Sequence, residues 1–139
     1  MKHNLILRVV SKLLIPIIVL YALYVQFHGD FGPGGGFQAG VIFSVAFILY
    51  CLVYGLETAE RVMPESVLRL LASLGVLIFA GTGVVSLLRG GNFLDYNVLA
   101  SNVITGQHIG IVVIELGVGI TVSSVMLLIF FTFTRRGKE

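Results

Sequence analysis

The chain has 139 residues, of which 57% are hydrophobic and only 12% charged, and its net charge is +2. Soluble domains carry about a quarter charged residues, and the mean hydropathy of +1.01 excludes an ordinary soluble enzyme. No basic patch or nucleotide loop speaks for nucleic acid, and the single cysteine, Cys51, excludes a disulfide framework within the chain.

Four apolar runs follow in order. Leu13 to Gly29, Phe31 to Leu56, Leu70 to Leu88 and Ile109 to Thr134 contain one charge between them, Glu115. A hydrocarbon core of about 30 Å takes roughly 20 helical residues to cross. The last three runs suffice alone, and the first spans from Leu5 if Arg8 and Lys12 snorkel to the headgroups. The expectation is an all-α integral membrane protein forming one transmembrane domain over residues 1–139. Its four helices should cover approximately 5–27, 36–56, 68–88 and 108–134. Lys2, Arg8, Lys12 and the apolar stretch after them also suggest a cleaved leader, but no small-x-small site precedes the next loop.

Of the nine Lys and Arg residues, all but Arg89 fall in the N-terminal segment, the loop between helices 2 and 3, or the C-terminal tail. Positive residues stay cytoplasmic. Both termini and the Glu57 to Arg69 loop should therefore lie inside, with the other two loops outside. Met63-Pro64 should end whatever helix 2 continues into, and Glu65-Ser66 can start helix 3. The acids and arginines of this loop read as solvated helix ends. In the Arg89 to Gln107 loop, Phe93, Leu94 and Tyr96 should pack against a neighbour or sit at the interface.

Small residues mark helix contacts in lipid. Gly36, Gly40, Ser44, Cys51 and Gly55 form a near-continuous stripe on helix 2, with Gly75 on helix 3 and Gly110 and Gly117 on helix 4. Gly36-x-x-x-Gly40 and Gly106-x-x-x-Gly110 also leave open a weak parallel repeat of helices 1–2 and 3–4. Internal packing and docking of other subunits are both open uses of these faces.

Glu115 is the one acid well inside an apolar run, seven residues from His108 and so about 10 Å below the outer surface at 1.5 Å per residue. A charge at mid-bilayer costs roughly 2.5–3.5 kcal/mol on insertion scales. The side chain must therefore face protein or water, or be protonated. His108, Val112, Glu115, Gly119 and Ser123 share one helical face, a polar line descending from the outer surface. Glu115 and His108 are thus candidates for a proton or sodium path. A carboxylate hydrogen-bonded for packing specificity is the alternative.

Between the first two runs stands His28-Gly29-Asp30-Phe31-Gly32-Pro33-Gly34-Gly35-Gly36-Phe37-Gln38-Ala39-Gly40. Pro33 and the glycines predict a tight irregular turn feeding straight into helix 2. His28 and Asp30 are too few for a metal site. Gly34-x-Gly36-x-x-Ala39 matches a dinucleotide fingerprint only as text, because no strand precedes it.

The wording H-G-x-F-G-P-G-G-G-F-Q-A-G resembles the signature of the B subunit of Mrp-type (Mnh, Sha) multisubunit sodium/proton antiporters, and the resemblance covers nearly the whole chain. It implies a small four-helix subunit in a bacterial plasma membrane, partnered by other membrane subunits that include large complex-I-like ones. The complex would export sodium in exchange for protons, driven by the proton-motive force, and support growth at alkaline pH. It would use no cofactor beyond the transported ions. Pro33 and Phe37 carry over as sensitive positions, followed by His28, Asp30, Gly34, Gly35 and Gly36. The same module in a membrane-bound hydrogenase, and a self-contained homo-oligomeric channel or transporter, are the other readings.

Overall fold

The computed structural model describes residues 5–29, 31–32 and 34–137. Asp30 and Pro33, two of the signature positions, lie outside the described residues. The elements are α1 (Leu5–Phe27), α2 (Gly36–Tyr54), α3 (Leu56–Val62), α4 (Glu65–Leu88), a 3-10 turn (Tyr96–Val98) and α5 (Val103–Arg136). Four of these helices, α1, α2, α4 and α5, are long and apolar enough to cross a membrane. The protein is an all-α, multi-pass membrane protein.

Helix ends differ from the sequence expectation where local chemistry intervenes. Helix 2 was expected to run to residue 56. It stops at Tyr54 because Gly55 takes φ 94°, a conformation open to glycine at little cost, while its N–H bonds to the Cys51 carbonyl at 2.8 Å. The chain restarts as α3, and after Met63-Pro64 the next helix begins at Glu65, the start that Glu65-Ser66 offered and three residues ahead of the approximate bound at 68. The last helix begins at Val103, not 108. Asn102 caps it, its side-chain oxygen accepting from the Ile104 N–H at 3.0 Å.

The spanning helices lie in a row, α1 against α2, α2 against α5 and α5 against α4. Two crossings fix it, both made by missing side chains. A methyl group on Gly40 would stand 2.7 Å from the Gly119 carbonyl oxygen, so α2 and α5 touch backbone to backbone. Gly75 does the same for α4, 2.5 Å from the Gly117 carbonyl by the same measure, and Thr121 Oγ1 donates across this seam to the Ala72 carbonyl at 3.4 Å. In lipid such close approach replaces hydrophobic exclusion as the source of association. Ser44, fully buried in α2, donates to its own helix at Val41.

Gly106 and Gly110 serve a different purpose from Gly36 and Gly40. They face Tyr96 of the 3-10 turn: its carbonyl crowds Gly106 and its ring crowds Gly110. Gly110 thus packs against a loop ring rather than another helix, and the paired glycine spacings reflect no repeated unit. Phe93 likewise inserts its ring edge at Gly83 of α4. Arg89 holds the loop down by donating to the Leu99 carbonyl at 2.7 Å. The connection between α4 and α5 is a folded cap.

At the opposite end, Cys51, Leu56, Ala59, Leu68, Leu127 and Phe131 make the buried apolar cluster. The charges around it are tied rather than merely solvated. Arg135 donates to Glu60 at 2.8 Å and to Glu65 at 2.6 Å, and Arg69 pairs with Glu65 from one turn along α4. This network joins α3, α4 and the last turn of α5. The guanidinium of Arg8 stands 5.4 Å from the centre of the Tyr54 ring, which brings the start of α1 to the same end.

Candidate functional site

Helix α5 has 34 residues and α2 only 19, about 51 Å against about 28 Å at 1.5 Å per residue. The first residue of α2, Gly36, meets α5 at Glu115, where a methyl on Gly36 would overlap the Glu115 carbonyl oxygen. Residues Val103 to Ile114 of α5 therefore run on beyond the start of α2. The loop between α1 and α2 does not stand clear of the protein. It folds down beside α5 at the depth of Glu115.

The carboxylate lies inside that loop. A methyl on Gly35 would stand 2.6 Å from Glu115 Oε1, and one on Gly29 would meet both carboxylate oxygens. Glycine at 29, 35 and 36 is what makes room for the acid and for its helix. Gly34, at φ 127°, supplies the left-handed backbone step that brings the chain into α2. The Gly35 carbonyl then accepts from the Ala39 N–H at 3.0 Å, opening the helix. Non-helical backbone at membrane depth survives only where protein buries it or water reaches it, and a half-buried carboxylate inside the loop fits such a place.

A line of rings rises from the site. Tyr24 stacks on His28 with centroids 4.9 Å apart, His28 meets Phe31 at 6.0 Å, and Phe31 meets His108 at 6.4 Å. His28, just after the end of α1, and His108, from α5, therefore flank one phenyl ring. The Phe31 N–H closes this turn on the His28 carbonyl at 3.0 Å. The signature and the polar line of α5, far apart in sequence, make one site. Phe37 does not join it. The residue is 63% exposed.

Sequence reasoning missed Gln26. Its Oε1 occupies the space a side chain on Gly119 would take, 2.5 Å from that absent carbon, and the Gly36 carbonyl oxygen lies 3.2 Å from the same point. The signal was a lone amide in an apolar helix, two residues before His28. Among the described residues, no three of His, Cys, Asp and Glu gather as they would around a metal ion.

These features define a multi-pass helical membrane protein with a carboxylate recessed beneath a glycine loop. The particular family follows from comparison. The chain belongs to the family described as the domain related to the MnhB subunit of Na+/H+ antiporter, whose profile matches residues 6–128. It is similar to proteins named "Putative antiporter subunit mnhB2" from Staphylococcus aureus strains Newman, COL and USA300. Each is 35% identical over 138 residues, covering 96% of this chain and 97% of the relative.

Proposed function

We infer that this protein is a membrane subunit of a hetero-oligomeric Mrp-type antiporter that exports sodium in exchange for protons at the expense of the proton-motive force. Its partners are other membrane subunits, including large complex-I-like ones, in a bacterial plasma membrane. Both chain termini face the cytoplasm, as the distribution of Lys and Arg indicates. The cap and the glycine loop face outward. Glu115 is the ion-path carboxylate of this subunit, and His108 and His28 stand at its entrance.

One observation carries the reading: the carboxylate of Glu115 lies against Gly29 and Gly35 of the signature loop. A carboxylate held for packing alone would need only a donor on a neighbouring helix. Here the chain gives up side chains at 29, 35 and 36 around it, and leaves beside it irregular backbone of the kind that at membrane depth is buried by protein or reached by water. The hard oxygen of a carboxylate suits an alkali cation or a proton.

Glu115→Gln keeps the shape of the side chain and removes its charge. In membrane vesicles holding the complete complex, antiport should fall, or its sodium or pH dependence shift, while all subunits still co-purify in mild detergent. Normal assembly with unchanged sodium and pH dependence would make the carboxylate structural.

A further inference from the structure

A cavity of about 380 Å³ lies between α1 and α2, lined by Ile15, Val19, Phe43, Phe47, Tyr50 and Val62. Along α2 it reaches from Phe43 to Tyr50, about 10 Å at 1.5 Å per residue. Every lining side chain is hydrocarbon except for the Tyr50 hydroxyl. The Phe43 and Phe47 rings stand 5.4 Å apart in its wall. Val62, the last residue of α3, lines it and is itself exposed.

One end of this groove carries positive charge. The Tyr50 ring lies 4.7 Å from the Tyr54 ring, and Tyr54 carries the Arg8 guanidinium over its face. Lys12 stands on α1 one turn from both Arg8 and Ile15. Arg61 directly precedes Val62 on α3. All three cations are exposed, and none has an acid partner among the described residues. Arg69 and Arg135 differ, being taken up by Glu60 and Glu65. Glu57, the other acid of α3, lies one turn before Arg61 and does not pair with it.

A guanidinium stacked on a tyrosine keeps the N–H donors of its edge free, the fork that takes a phosphate. Tyrosines and cations gather at headgroup level, and from Tyr50 the groove leads along α2 toward the middle of the span. A phospholipid has the same layout, with phosphate at the interface and hydrocarbon below it. A helix of another subunit would fill the apolar part, yet it would leave the cations unmatched unless it brought acids to this level. The charge distribution also assigns this end to the cytoplasm, whose leaflet carries the anionic lipids.

We propose that the groove between α1 and α2 is a binding site for an anionic phospholipid. One acyl chain lies along Phe43, Phe47 and Tyr50, Arg8 and Lys12 hold the phosphate, and Arg61 adds to the positive field. The site stands apart from Glu115, and its test reads lipid binding rather than antiport.

The test uses the assembled complex in phosphatidylcholine vesicles that contain a trace of phosphatidylglycerol with a photoactivatable diazirine in its acyl chain. After illumination, mass spectrometry should find lipid attached to the segment of α2 from Phe43 to Tyr50. Attachment should be several-fold greater than with the same diazirine on phosphatidylcholine. Excess unlabelled phosphatidylglycerol should compete. Excess phosphatidylcholine should not, nor should glycerol phosphate, which has the anion without the chain. Arg8→Gln combined with Lys12→Gln should bring labelling down to the phosphatidylcholine level while all subunits co-purify. Arg136→Gln, a loss of charge on α5 instead, should leave labelling unchanged. Equal labelling by the two lipids, or labelling that survives the loss of Arg8 and Lys12, overturns the proposal. Competition by glycerol phosphate overturns it in favour of a free anion. Lack of labelling on α2 by either lipid overturns it in favour of a helix from another subunit. Should the double variant fail to assemble, the competition on the wild-type complex still decides.

Discussion

Gly36 and Glu115 meet backbone to backbone, so that the first residue of α2 rests on the α5 carbonyl of the acid it helps to enclose. Docking of two helices and positioning of the carboxylate are therefore one contact. A change there cannot disturb one without the other.

Gly36→Ala should accordingly separate α2 from α5. Overpacking costs about 1–3 kcal/mol where side chains can give way, and here the obstructing atoms are backbone on both sides. The expected result is a sharp loss of thermal stability and of co-purifying subunits. Gly81→Ala is the matched control. Nothing lies within 4 Å of the added methyl, so helix propensity should make it neutral or stabilising by about 0.5–1 kcal/mol. Equal effects from the two substitutions would contradict the packing described.

Gly29→Ala probes the acid without touching the helix crossing. The atoms nearest the methyl would be those at the far end of the Glu115 side chain, which can rotate away. Assembly should survive while the carboxylate is displaced, giving a several-fold rise in the sodium needed for half-maximal antiport. A variant that assembles and shows wild-type sodium dependence would detach the loop from the function of Glu115.

Arg135 ties α5 to both Glu60 and Glu65. Arg135→Glu should lower the melting temperature of the detergent-solubilised protein, more at low salt than at high, since exposed pairs are screened. Adding Glu60→Arg should recover part of the loss. Recovery by Glu60→Ala to the same extent would mean that repulsion alone, not pairing, was measured.

Topology is open to direct measurement on a Cys51→Ala background. In intact cells an impermeant thiol reagent should label Asn92→Cys, on the exposed cap, and leave Arg61→Cys, on the exposed surface of α3, unlabelled until the membrane is opened. The reverse pattern would turn the glycine loop and Glu115 to the cytoplasm.

Periodicity and length were enough to read α1 and the existence of the other three spans, because a residue in lipid is selected for apolarity over a fixed thickness. The Met63-Pro64 break and the Glu65 start were legible for a similar reason: proline acts locally. The extra turn at the start of α5 was not, since the side chain of Asn102 competes with no hydrophobic signal strong enough to register. The charges between α2 and α4 read as solvated helix ends, and nothing local showed that Arg135, seventy-five residues from Glu60, would tie them together.

What the sequence determined by itself is the membrane class, the four spans, the stripe of small residues and the two notable elements, a glycine-rich turn and an acid in an apolar helix. Each follows from the neighbours of a residue along the chain. Only the tertiary structure decided that the turn and the acid are one site. It also gave Gly36 and Gly110 different partners despite their similar settings, and set Gln26 in the space left by Gly119. A glycine in sequence marks an absence of side chain. What fills that absence depends on which backbone crosses it, and in a row of helices held by close contact that is decided between elements, not within them.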